Sequence, residues 1–109
     1  MSTLTFVAVA ALKLTLAQDP AAGTDARDSG PGTIDVASWP AEQKTRYPLF
    51  QQKCSKCHAL ARSVNSKFSA AEWKRYMKRM VRRPNAGVTD EQAEDIFEFL
   101  KYYASKQGL

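Results

Sequence analysis

The sequence predicts a small all-α domain, and three observations carry that expectation. Two capping boxes, Ser69 with Glu72 and Thr89 with Gln92, each open a run whose apolar residues recur at helical spacing. No stretch near the two cysteines alternates apolar and polar side chains as a strand does. Breaks fall where helices should stop, at Arg83-Pro84 and at Gly108. With 109 residues, 44% hydrophobic and 25% charged, the chain has the composition of an ordinary globule and the length of one domain.

From the N-terminus, residues 1–17 carry a short apolar run, Leu4 to Leu12, which Lys13 interrupts before Leu14-Thr15-Leu16-Ala17. The run is too short to span a bilayer and reads as the hydrophobic part of a secretion signal, with cleavage expected after Ala17. The signal is atypical, because no basic residue precedes the apolar run. Left uncleaved, it would tether the chain to a membrane. Residues 18–38 are rich in Gly, Ala, Asp, Ser and Pro, with Ser29-Gly30-Pro31-Gly32 at their centre, and are expected to form a flexible linker. The folded domain is expected over 39–109, a size at which a hydrophobic core alone is marginal and a buried cofactor would add stability.

Three main helices are expected. Pro48 suits the first turn of one that leads through Leu49, Phe50 and Lys53 to the cysteines, with Phe50 facing inward. The second runs from Ser69 to about Val81. Its Trp73, Met77, Met80 and Val81 fall at i, i+4, i+7 and i+8 on one stripe, while Lys74, Arg75, Lys78, Arg79 and Arg82 cover the rest. The third starts at Thr89, gains from Asp90 and Glu91 at its positive end, and continues to Ser105 or Lys106 with Ile96, Phe99, Leu100 and Tyr103 inward.

Both cysteines and the only histidine of the chain stand together in Cys54-Ser55-Lys56-Cys57-His58. This is the spacing of covalent haem attachment, in which two thiols bind the porphyrin edge and the adjacent imidazole binds iron. Competing readings account for less of it. A structural zinc site needs four nitrogen or sulfur ligands where the chain supplies three. A thiol-disulfide site ordinarily follows a strand. A disulfide closing so short a loop removes little unfolded-state entropy and leaves His58 unexplained.

The motif, the Glu72-Trp73 pair, Met80, and Ile96 with Phe99-Leu100 resemble the small class I monohaem c-type cytochromes, including short periplasmic single-haem cytochromes and the haem domains of dehydrogenases. The resemblance covers Tyr47 to Lys106. It implies a cytochrome c-like fold of three main helices wrapped around one covalent haem c, held by Cys54 and Cys57. His58 is the expected axial ligand on one side of the iron. With no second histidine, the other side is expected to take Met80, which matches the family's ligand position and lies just before the Arg82–Pro84 break; Met77 is the alternative. Phe50, Leu60, Val64, Phe68, Trp73 and Met77 are expected to line the haem pocket. Arg62 is read either as a partner for a haem propionate or as a solvated helix-face arginine. The family commonly orients the ligand histidine through a proline carbonyl, but no proline lies between His58 and Pro84 here, so the orienting carbonyl is left open.

The resemblance implies an exported, periplasmic carrier of single electrons, not an enzyme. Charge suggests its partner. From Lys53 to Arg83 there are ten basic residues against Glu72 alone, whereas residues 84–109 carry five acids against two bases. Such a basic side is expected to steer the domain to an acidic-surfaced redox protein such as a dehydrogenase, oxidase or reaction centre. Two other functions compete. If no methionine binds the iron, a five-coordinate haem protein taking a gas or peroxide results. A basic nucleic-acid-binding helical domain is the remote alternative, since no recognised binding motif accompanies Lys74–Arg83.

Overall fold

The computed structural model describes residues 25–109. The expected signal over 1–17, and the linker's first residues, 18–24, lie outside them. The described residues are all-helical: a 3₁₀ turn at Ala26–Ser29, then α1 (Ala41–Cys54), α2 (Leu60–Val64), α3 (Ala70–Val81) and α4 (Asp90–Lys106). Among these residues no helix is long and apolar enough to cross a membrane.

Both expected capping boxes form. Ser69 Oγ accepts from the Glu72 N–H, and Glu72 Oε1 accepts from the Ser69 N–H; Thr89 and Gln92 make the same exchange. Each box satisfies two of the donors that a helix start leaves unpaired, which is why α3 and α4 begin where expected.

α1 departs from expectation. It starts two turns earlier, at Ala41, where the Pro40 carbonyl accepts from the Gln43 and Lys44 N–H groups, and it carries Pro48 in its interior. Pro48 is exposed, so its ring sits in solvent while the Lys44 carbonyl goes without the donor that a proline lacks. α2, an unexpected fourth helix, spans only five residues, too few to show a helical period in sequence.

α4 lies at the centre, packed against α1 on one side and α3 on the other. Its Ile96, Phe99, Leu100 and Ala104 are fully covered and meet Phe50 from α1, Trp73 and Met77 from α3, and Val64 from α2. Phe99 stands 5.1 Å from Phe50 and 5.4 Å from Tyr47, centroid to centroid, and Trp39 closes the far end 5.6 Å from Phe99 and 4.9 Å from Tyr102. The Tyr103 hydroxyl donates to the Val64 carbonyl at 2.7 Å, tying α2 to α4.

The chain from Asp25 to Ser38, expected as part of a flexible linker, is instead bound to the helices. Ile34 and Val36 pack on the core, and the Ile34 N–H donates to the Tyr47 hydroxyl at 2.8 Å. The Asn65 amide donates to the carbonyls of Arg27 and Pro31, and a Cβ on Gly30 would collide with the Asn65 side chain. The segment is a strap whose partners lie more than ten residues away, so its small polar residues resemble a linker only when read locally.

Candidate functional site

The cysteine run sits at the end of α1. Cys54 is its last helical residue, and Ser55 to Cys57 turn out of it, so the run does not lie on one helical face. The turn carries Cys57 and His58 into a cleft of about 400 Å³ lined also by Arg27, Arg62, Tyr76, Met80 and Arg83. Four expected site residues therefore meet there: Cys57, His58, Arg62 and Met80.

Cys54 lies half-buried against the core, and neither cysteine is in a disulfide. Burial pushes the Cys54 thiol up to about 12, with Cys57 adding to the rise. Its place at the negative end of α1 acts in the same direction, since the carbonyl end of a helix disfavours a thiolate. Both effects favour the neutral thiol of Cys54 over its thiolate. Among the described residues, no three His, Cys, Asp or Glu side chains gather as a metal cage.

The His58 ring is fixed at both nitrogens. Nδ1 lies 3.2 Å from the Ala59 carbonyl, and Nε2 lies 3.2 Å from the Tyr76 hydroxyl. A carbonyl oxygen only accepts, so in the neutral ring the hydrogen belongs on Nδ1 and the Nε2 lone pair points across the cleft. The Ala59 carbonyl is the orienting group that no proline supplies.

α3 forms the opposite wall, and its apolar stripe divides. Trp73 and Met77 enter the core. Met80 turns to the cleft with Tyr76, four residues earlier on the same face. Val81 turns the other way, into a groove of about 270 Å³ between α3 and α4 that Met77 and Phe97 also line. The two methionines are therefore separated: Met80 lines the cleft that His58 also lines, whereas Met77 is a core residue that borders a different groove.

The other expected pocket residues sit behind the cleft. Phe50, Val64 and Trp73 are in the core, and Leu60 is half-buried against it. Phe68 stands edge-on to Trp73 at 4.9 Å. Trp73 Nε1 and the Ser63 hydroxyl are buried without a hydrogen-bond partner among the described residues. Arg62 lines the cleft with both arms of its guanidinium on Asp28 of the strap, at 3.0 and 2.6 Å, a partner that neither sequence reading named. Beside it, Arg27 binds Asp25 and the Ser66 hydroxyl.

Three cleft residues were not legible as such. Arg27 belongs to the strap. Arg83 is brought round by a loop that turns through left-handed Asn85 and Gly87 and is pinned by Lys53, whose Nζ donates to the Gly87 carbonyl at 2.8 Å. Tyr76 had one signal, its position one helical turn before Met80. Compared with protein-family models, with curated proteins and with solved structures, the chain gives no match.

Proposed function

We propose that this chain carries one covalent haem c in a cytochrome c-like domain and passes single electrons, outside the cytoplasm, to or from an acidic-surfaced redox protein. The observation that carries the reading is the cleft itself: Cys57 and His58 of the cysteine–histidine run line it together with Met80, while Cys54 lies half-buried against the core at the end of α1. The donor set fits a haem better than a bare ion. Two thiols, one imidazole and one thioether include a soft neutral sulfur that suits iron in a porphyrin.

On this reading Cys54 and Cys57 would hold the group through their sulfurs, and His58 and Met80 would supply the nitrogen and sulfur for its iron. When bound, the haem supplies a one-electron couple between ferric and ferrous iron. The chain's own residues do the rest. The Ala59 carbonyl keeps hydrogen on Nδ1 of His58, which leaves the Nε2 lone pair as the one a metal would use. Met80 supplies a thioether, which favours the reduced metal. At the cleft Arg27 and Arg62 are paired with Asp25 and Asp28, so Arg83 supplies the uncompensated positive charge there, and exposed Lys74, Arg75, Lys78, Arg79 and Arg82 extend it along α3, where an acidic partner is drawn in.

The test is to express the chain in a host that matures c-type cytochromes. The purified polypeptide is expected to be coloured, to gain the mass of one haem and to keep it through acid–acetone extraction; a colourless chain of unmodified mass overturns the reading. A second reading, a five-coordinate haem protein that binds a gas or peroxide, draws on one observation: a hydroxyl, that of Tyr76, lies 3.2 Å from Nε2. Ready carbon monoxide binding by the reduced protein at neutral pH would decide for it.

A further inference from the structure

α3 places two different groups in the cleft that His58 lines, a phenol at position 76 and a thioether at position 80. The phenol reaches the ring, with its oxygen 3.2 Å from Nε2. Since the Ala59 carbonyl takes the Nδ1 hydrogen, Tyr76 must donate its O–H into the Nε2 lone pair. That lone pair is the one a metal would use.

The phenol is itself held firmly. Its ring meets Trp73 at right angles at 5.4 Å and Phe68 at 6.0 Å, and the Arg79 guanidinium lies 5.8 Å from its centroid. Trp73 is fully buried, so this support extends from the core to the cleft.

We propose that Tyr76 is a positioning residue for His58: in the haem-free chain its hydroxyl holds Nε2 aimed across the cleft in the tautomer that ligation requires, and it gives up that lone pair when the metal binds. The first half stands on the hydrogen bonds alone; the second rests on the haem reading.

His58 is the only histidine, so its ring nitrogens give unobscured signals in a chain labelled with nitrogen-15 histidine. The full haem-free chain is measured at a pH where the ring is neutral. Wild type is expected to carry hydrogen mainly on Nδ1, and Tyr76→Phe to shift the tautomer ratio about fivefold toward Nε2–H, as loss of one ordinary hydrogen bond implies. Hydrogen mainly on Nε2 in wild type, or an unchanged ratio in a Tyr76→Phe chain with native circular dichroism, overturns the proposal. The wild-type measurement keeps the test decisive even where the variant does not fold. A colourless chain from a maturing host with Nδ1 protonated would remove the haem reading and keep the Tyr76 bond. A haem-bearing chain whose haem-free form is protonated on Nε2 would do the reverse.

Discussion

Arg62 and Asp28, 34 residues apart in sequence, make a two-bond guanidinium–carboxylate pair that closes the strap over α2 beside the cleft. The 3₁₀ turn that carries Asp28 has no buried residue, so nothing apolar holds this end down. The pair, the Arg27–Ser66 bond and the Asn65 amide do that work.

Asp28→Asn removes the charge and one of the two acceptors while leaving the side chain's size. The expected result is several-fold faster trypsin cleavage after Arg27, with the helices intact by circular dichroism. Added salt should speed cleavage in wild type more than in the variant, because an ion pair at a partly exposed site is screened. Equal cleavage rates would mean that Ile34 and Val36 hold the strap by themselves.

Asp25 gives the strap its pH dependence. Hydrogen bonds from the Arg27 guanidinium and then from the Arg27 backbone N–H hold its carboxyl well below the usual carboxylate range, burial opposing only in part. A pKa depressed in the folded state stabilises above the unfolded value, about 3.9 for Asp, and the gain is lost as pH falls through the folded value. The Arg27 amide should therefore stay protected from hydrogen exchange as pH drops from neutrality past the ordinary carboxylate range, and lose protection only in stronger acid. Loss near pH 4, where free carboxylates titrate, would show that the Arg27 bonds do not persist in solution.

The contrast between strap and helices explains what could be read in sequence. α3 and α4 announce themselves within a few residues, because a capping box and an apolar stripe are local. Pro48 misled because a proline suits a first turn more often than a helix interior, and it drew attention from Pro40 and Glu42, which mark the true start of α1. Asp25, Arg27 and Asp28 look like solvating charges until Arg62 and Ser66 arrive from elsewhere in the chain. The site divides in the same way. Cys54, Cys57, His58 and Met80 stood out by type and spacing, whereas the Ala59 carbonyl is backbone and leaves no trace in side-chain identity. Tyr76 was passed over because it lies off the Trp73–Met77 stripe, on the face that only the folded cleft gives a purpose.

The core between α1 and α4 should be sensitive to truncation. Phe50 is completely buried between Tyr47 and Phe99, and Phe50→Ala is expected to cost about 3–5 kcal/mol in denaturant unfolding. That is a large share of the stability of so small a domain. A cost below about 1 kcal/mol would mean that α1 and α4 do not pack as described, since cavity creation at a fully buried ring does not come so cheaply.

Met77 and Met80 should separate stability from ligation. Met77 is buried in the core, so Met77→Ala is expected to lose about 2–5 kcal/mol in urea unfolding. Met80 is only half-buried at the cleft wall and should lose distinctly less when truncated in the haem-free chain. In haem-bearing protein the order reverses. Met80→Ala is expected to abolish the near-infrared sulfur-to-iron band of the oxidised form and to open the iron to carbon monoxide when reduced, while Met77→Ala keeps the band. The two residues lie on one helix less than a turn apart, so a general disturbance of α3 would affect both spectra alike; opposite rankings in the two measurements require that one sulfur packs and the other binds. Loss of the band in Met77→Ala alone would assign the iron bond to the core methionine and leave Met80 as part of the cleft wall.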